Sequence, residues 1–390
     1  MLERLLQGWK DGRRAWAGLQ RFNALPAARK TFVFYAETAG DWAYLGPVAA
    51  ALEEKGHPYV AVCSDPNDPA LARPTSCYVG FGTPRTVLFR TIEARNFIMT
   101  LPDLETFHLK RSMHPVHYFY IFHSIASTHR VYREHAFDAY DTILCVGPHH
   151  EREIRRTEEV YGLPPKRLVP HGYGRLDTLM HDLAACKASA PSDDGRLRVL
   201  VAPTWGDCSL VAHGLEDLLD ELLRAGFRTT LRLHTMTKRH HPGLAPHLAS
   251  RFGAAGLSID PDINTTQALL DSDIMISEWS GSPLEYAFAL LRPVIFVDTP
   301  PKVHNPEFGR LGLPCLEEDI RSKLGEIVPE GNWAALPAVI RRLVAQRAEW
   351  REPLARVRDE TVYHAGHSGV AGAEVLLRAM EAEEKKAAKT

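Results

Sequence analysis

The stretch Ser272-Asp-Ile-Met-Ile-Ser-Glu-Trp-Ser-Gly-Ser-Pro-Leu-Glu-Tyr-Ala-Phe-Ala-Leu-Leu-Arg-Pro-Val-Ile-Phe-Val-Asp298 decides the fold class. Ile274 to Ser277 is a short apolar run of the kind buried in a parallel sheet. Ser280, Gly281 and Ser282 form a small-residue turn, and Pro283 suits the first helical position. Arg292-Pro293 stops the helix, and Val294 to Val297 is the next buried strand. A strand–turn–helix of this kind presents backbone N–H groups at a positive helix end, which suits a phosphate. The same residues have a plainer use. Ser282-Pro-Leu-Glu285 fits the S-x-x-E capping box, in which Ser282 and Glu285 only close the helix start.

Outward from this stretch, strands and helices alternate. Toward the N-terminus lie strands at Val199–Ala202, Thr229–Leu233 and Leu257–Ile259, with helices at Leu215–Ala225, Leu248–Ala255 and Thr266–Leu270. Residues 184–196 (AACKASAPSDDGR) are small, polar and turn-rich and form the linker candidate. Before them a second alternation starts with the strand Thr31–Ala36, a helix near 43–55 and the strand Tyr59–Cys63. Strands follow at Phe97–Thr100, Tyr118–Phe122 and Thr142–Val146, with helices near Ser127–Phe137 and His149–Tyr161. The pattern predicts an α/β protein of two Rossmann-like domains facing across a cleft. The expected division is a basic segment 1–30, an N-terminal acceptor domain 31–183, a nucleotide-donor domain 197–350, and C-terminal helices with a charged tail at 351–390. The end of the helical stretch Trp333–Met380 is expected to pack back onto the first domain.

Composition narrows the function. The 390 residues, 45% apolar and 24% charged, are those of an ordinary globular protein with room for two cores. A net charge of −2 gives no basis for bulk nucleic-acid binding. Six scattered cysteines, mostly within apolar runs, predict buried free thiols and a cytoplasmic setting. No run is long enough to span a bilayer and no secretory signal is visible. Residues 1–30 nevertheless carry seven Lys/Arg against two Asp/Glu, with Leu2, Leu5, Leu6, Trp9, Trp16 and Leu19 at near-helical spacing. That is the pattern of a helix lying on an anionic membrane surface, or of one packed on the body of the protein with its basic face solvated.

The strand ends carry the chemistry. Thr204, Trp205 and Asp207 follow one strand, and Arg232 and His234 close another. Ligands bind at the carboxyl ends of strands in open α/β sheets, so these residues are expected near Ser280–Ser282. There a cationic His234, Lys238 or Arg239 would help cradle a diphosphate. His234 otherwise reads as a strand-end histidine, and Lys238, Arg239, His240 and His241 as a solvated loop. His123-Ser124 ends the strand Tyr118–Phe122, a favourable place for a general base. In Val169-Pro-His-Gly-Tyr-Gly-Arg-Leu-Asp177 the glycines permit close backbone approach. Arg175 and Asp177 either lock that segment or face a ligand. The histidines show no H-E-x-x-H or Cys/His metal set, and there is no G-x-G-x-x-G, GK[ST] or G-x-S-x-G.

Four segments resemble the CDP-glycerol glycerophosphotransferase family of teichoic-acid-type polymerases and primases. Ala202-Pro-Thr-Trp-Gly-Asp207 resembles its A-P-T-W-R-D, and Gly172-Tyr-Gly-Arg-Leu-Asp177 its G-x-P-R-x-D. Leu231-Arg-Leu-His234 is similar to its basic-residue-x-His strand end, and Ser272–Gly281 to S-D-x-x-I-T-D-Y-S-S. The resemblance implies a GT-B fold and a CDP-glycerol-type donor bound in the second domain, with its diphosphate at Ser280, Gly281 and Ser282 and near His234. An acceptor hydroxyl deprotonated by His123 would displace CMP, with no metal demanded. The acceptor would be a lipid-linked or polymeric cell-surface glycan. The chain departs from the family at His123-Ser124-Ile125 (family His-Gly-Thr), Gly206 (Arg), Glu278 (Asp) and Gly174 (Pro). Those departures leave three other readings open: an inverting nucleotide-sugar glycosyltransferase, a nucleotide-sugar 2-epimerase and a catalytically silent binding protein.

Overall fold

A computed structural model describes residues 2–185, 195–263 and 265–387, with side chains from 8 to 382 within those ranges. The chain forms two compact units. Unit 1 comprises Met1–His123, Tyr132–Asp177 and Val362–Thr390; unit 2 comprises Ser124–Val131 and Thr178–Thr361. Cys186 and residues 186–194 of the linker candidate lie outside the described residues, as do the Leu2, Leu5 and Leu6 side chains.

Unit 1 holds seven parallel strands: β1 (Phe32–Ala36), β2 (Val60–Cys63), β3 (Cys77–Tyr78), β4 (Asn96–Met99), β5 (His117–Ile121), β6 (Thr142–Cys145) and β7 (Arg167–Pro170). Their order is β3-β2-β1-β4-β5-β6-β7. Helices α1 (Leu2–Asn23), α2 (Trp42–Glu54), α3 (Thr83–Thr91), α5 (Pro148–Tyr161) and α6 (Gly174–Ala185) connect or flank them. Where the sequence reads as a helix near Ser127–Phe137, only α4 (Thr128–Val131) is helical, and it belongs to unit 2.

Unit 2 holds β8 (Arg198–Val201), β9 (Arg228–Leu231), β10 (Leu257–Ile259), β11 (Ile274–Ser277), β12 (Val294–Asp298) and β13 (Gly325–Pro329). All are parallel, in the order β10-β9-β8-β11-β12-β13. The helices are α7 (Leu215–Arg224), α8 (Thr235–His240), α9 (Leu244–Phe252), α10 (Gln267–Asp271), α11 (Ser282–Leu290), α12 (Leu316–Leu324), α13 (Leu336–Ala345) and α14 (Arg347–Thr361). The final helix, α15 (Ser368–Ala387), packs on α2 in unit 1.

The central strands of both sheets, such as β1, β4, β6 and β11, are buried along their whole length, which is why they read as apolar runs rather than alternating ones. Ile274, Ile276, Val199, Val201 and Ile295 meet Leu218 and Leu222 of α7 in the unit 2 core. The buried Leu215, Leu218, Leu219 and Leu222 make one helical stripe. Phe34, Ile98, Phe119 and Leu144 meet Val48 of α2 and Leu376 of α15 in unit 1. Cys63, Cys77, Cys145 and Cys315 are buried free thiols and Cys208 is half-buried.

The glycines of Gly172-Tyr-Gly174 do what their sequence context implies. Gly172 sits at φ 100°, and a β-carbon there would run into the Tyr363 carbonyl oxygen; one on Gly174 would lie 2.8 Å from that of Tyr44. Asp177 then takes hydrogen bonds from the backbone N–H groups of Gly366 (2.9 Å), Ser368 (2.6 Å) and Gly369 (3.2 Å), and from the Ser368 hydroxyl (2.6 Å). Of the two uses read for Asp177, the structure has the lock: its carboxylate caps α15.

Candidate functional site

Each sheet reverses its strand order once, between β1 and β4 in unit 1 and between β8 and β11 in unit 2. Such switch points open a crevice at the carboxyl ends of the strands. In unit 2 the crevice is framed by Thr204 and Trp205 after β8 and Glu278 to Ser282 after β11. His234 follows β9 and Thr299 to His304 follow β12.

Glu278 ties this edge together. Its buried carboxylate accepts the backbone N–H groups of Thr204 and Leu210, each at 2.9 Å. Burial pushes the carboxyl up to about 7 despite those bonds and the nearby Lys302. Next along the chain, Trp279 anchors the β12 loop by donating from Nε1 to the Thr299 carbonyl at 2.8 Å. Lys302 returns from that loop to donate to Thr204 Oγ1 at 2.9 Å, and its ammonium lies 4.9 Å from the Trp205 ring centroid. The His304 and His234 rings flank the same indole at 4.8 and 6.1 Å. A cavity of about 610 Å³ opens beside Trp205, Gly206, Cys208, Pro301, Lys302 and His304.

The helix start differs from a capping box. Gly281 is the N-cap of α11, Ser282 is its first residue, and Ser280 Oγ accepts the Ser282 N–H at 3.3 Å. Glu285 is buried one turn into the helix. Ser280, Gly281 and Ser282 are therefore a half-buried turn at the positive end of a nine-residue helix.

Two predicted donor-side residues take other roles. Arg232 is buried and paired with Asp260 through Nε at 2.5 Å, so its charge serves an internal ion pair. His234 is not cationic. Burial first, then the charge of Lys302, lowers it to about 4. Its Nδ1 accepts the Met236 N–H at 3.1 Å as the N-cap of α8, which leaves Nε2–H as a neutral donor. Lys238 donates to the carbonyls of Asp260 and Pro261, and Arg239 is exposed on α8.

In unit 1, His123 lies just beyond β5. Its Nδ1–H donates to the Thr100 carbonyl at 3.0 Å, and Nε2, the basic nitrogen, has the Tyr132 hydroxyl 3.4 Å away. Burial lowers its pKa, against the Asp41 charge and the Thr100 bond, so the imidazole is neutral and basic near pH 7. Asp41 itself takes the Thr100 hydroxyl at 3.1 Å across the β1/β4 switch point. Arg175 lies in the first turn of α6, two residues before the capping Asp177.

Residues 122–300 match the model of one family, CDP-Glycerol:Poly(glycerophosphate) glycerophosphotransferase. The match spans the four motif-bearing segments read in the sequence, so over this stretch the chain is similar to these transferases. No curated protein matches the sequence. Among solved structures, a variant of the wall teichoic acid polymerase TagF aligns at TM-score 0.60 and 14% identity, over 98% of each chain. The UDP-GlcNAc 2-epimerase of Methanocaldococcus jannaschii, in complex with UDP-GlcNAc and UDP, aligns at TM-score 0.56 and 10% identity, over 89% of this chain and 99% of that one. A glycosyltransferase from Rickettsia africae gives TM-score 0.51 and 13% identity over 92% and 98%. At such identities the likeness shows the fold alone, and transferases and epimerases share it. The family match is what separates them.

Lys302, which donates to Thr204 among these residues, is not singled out by the sequence. Thr299-Pro-Pro-Lys302 carries no motif, and only the pairing of β12 beside β11 brings its end to the same sheet edge.

Proposed function

We propose that the protein transfers a glycerol-phosphate-type group from a CDP-activated donor to a hydroxyl of a lipid-linked or polymeric cell-surface glycan. The observation that carries this reading is the gathering of three of the four family-like segments at the unit 2 switch point, where Glu278 ties two of their loops together. The donor's diphosphate lies at the Ser280-Gly281-Ser282 turn, stabilised by backbone N–H groups and the helix end. His234 Nε2–H donates to a phosphate oxygen, and the charge building on the leaving CMP is met by fixed dipoles.

His123 is the base. Its Nε2 takes the acceptor's proton while Thr100 holds Nδ1–H, and the freed oxygen attacks the phosphorus that bears the glycerol. The new P–O bond forms as the bond to the CMP phosphate oxygen breaks, and CMP leaves with that electron pair. No metal is demanded in this reading, because the α11 N-terminus and His234 Nε2–H meet the phosphate charge. Trp9 and Trp16 are 62% and 44% exposed on α1, whose Ala15, Leu19 and Phe22 are buried against unit 1. The helix thus packs on the body and still offers interfacial tryptophans beside Arg13, which suits peripheral attachment to the inner face of the plasma membrane.

The test is CMP release from CDP-glycerol in the presence of a lipid-linked acceptor. The wild type releases CMP with acceptor present. His123→Asn lowers turnover by roughly 10²–10⁴-fold and leaves CDP affinity unchanged. Epimerisation of UDP-GlcNAc without nucleotide release would replace this reading with the epimerase.

A further inference from the structure

We infer that Lys302 is a cation that binds the donor's diphosphate, supplied from the loop after β12 to the loop after β8, where Gly206 carries no charge. The inference rests on the proposed use of a nucleotide-diphosphate donor.

Gly206 is at φ 94°, a backbone conformation in which a side chain is strained. A cationic side chain there would bring its charge at the expense of that turn. A cation instead reaches the same loop from β12. Pro300 and Pro301 fix their own φ and hold the preceding residues extended, and Trp279 pins Thr299, so Lys302 extends from a stiff, anchored arm. Its ammonium is set by the Thr204 hydroxyl and the Trp205 face, at the wall of the cavity beside the β8 loop.

The neighbouring positive groups are used otherwise. Arg232 is paired with Asp260, Lys238 is held by two carbonyls, and His234 is neutral. Thr204 Oγ1 takes one of the three N–H bonds an ammonium offers. Half-buried between Trp205 and Glu278, Lys302 is held down to about 8 by desolvation, and a diphosphate in the cavity would restore the counter-charge it lacks. Glu278 lies near enough to act on Lys302 by charge, yet its carboxylate is spent on the Thr204 and Leu210 N–H groups.

The experiment is titration of wild type, Lys302→Met and Lys302→Arg with cytidine, CMP, CDP, UDP and inorganic pyrophosphate, with thermal melting of each variant. The expected result is a loss of at least about tenfold in CDP affinity for K302M, with cytidine affinity and melting temperature unchanged and K302R close to wild type. Should K302M not fold, Lys302→Gln carries the same comparison. Wild-type CDP binding that persists at full strength in K302M or K302Q would overturn the inference and leave the transferase reading standing. If UDP binds in place of CDP and that binding depends on Lys302, the inference stands and the cytidine donor falls. If the wild type binds neither nucleoside diphosphates nor pyrophosphate, both fall.

Discussion

The carboxylate of Glu278 accepts the backbone N–H of Thr204 at 2.9 Å and so joins the ends of β11 and β8 across the switch point of unit 2. The same oxygen takes the Leu210 N–H at 2.9 Å. Two loops that carry family-like motifs are thereby held by one buried acid.

That acid makes stability depend on pH. Its folded pKa of about 7 lies above the ordinary 4.5, so the folded state holds the proton more tightly than the unfolded chain. The contribution is fully present below about 4.5 and is lost as pH rises through 7, to the extent of roughly 3 kcal/mol. Glu278→Gln keeps an acceptor for both N–H groups and removes the titration. Melting curves from pH 5 to 8 should fall for wild type relative to E278Q, and parallel curves would contradict the assignment. Glu278→Ala, which orphans both donors, should destabilise by about 2–4 kcal/mol.

Asp177 should matter for stability and not for the donor. Its carboxylate receives four hydrogen bonds at the start of α15. Asp177→Ala should cost about 2–4 kcal/mol and lower the melting temperature by several degrees. Nucleotide affinity measured below that temperature should be unchanged, and a selective loss of affinity would return Asp177 to the ligand.

The acid limb of kcat/KM reports His123. Burial lowers its pKa from 6.5, so activity should fall only below that value. Asp41 opposes the lowering, and Asp41→Asn should move the limb to still lower pH. A limb that stays in place or moves up in D41N would mean another group is the base.

Much of this was legible in the sequence, and the remainder failed for physical reasons. Ile274–Ser277 and Val294–Val297 are fully buried strands, and short apolar runs bounded by turn and breaker residues fit sheet interior. Three edge or near-edge strands were missed: Cys77–Tyr78 is two residues long, Arg167–Pro170 ends in proline, and Gly325–Pro329 is bracketed by breakers. Residues 127–137 look helical, yet Ser127 is drawn into unit 2 by the Leu316 N–H at 2.6 Å, and the helix stops at Val131. His123 and His234 were legible as candidates because both end apolar strands. Their charge states were not, since burial is a tertiary property. Lys302 sits in a proline-rich loop whose position only the strand order decides.

The exposed tryptophans of α1 predict binding to vesicles of anionic lipid. Trp9→Ala with Trp16→Ala should weaken it roughly tenfold with the melting temperature unchanged, since neither ring is buried in unit 1. Equal binding by the double variant would remove α1 as the attachment surface.

The central claim is that the unit 2 switch point takes a CDP-activated donor. Its most direct test is the thermal shift of the wild-type protein with CDP, CDP-glycerol, UDP and UDP-GlcNAc at equal concentration, because a ligand bound only by the folded state raises the melting temperature. A shift selective for CDP and CDP-glycerol is the predicted result, and a shift confined to UDP and UDP-GlcNAc would contradict it.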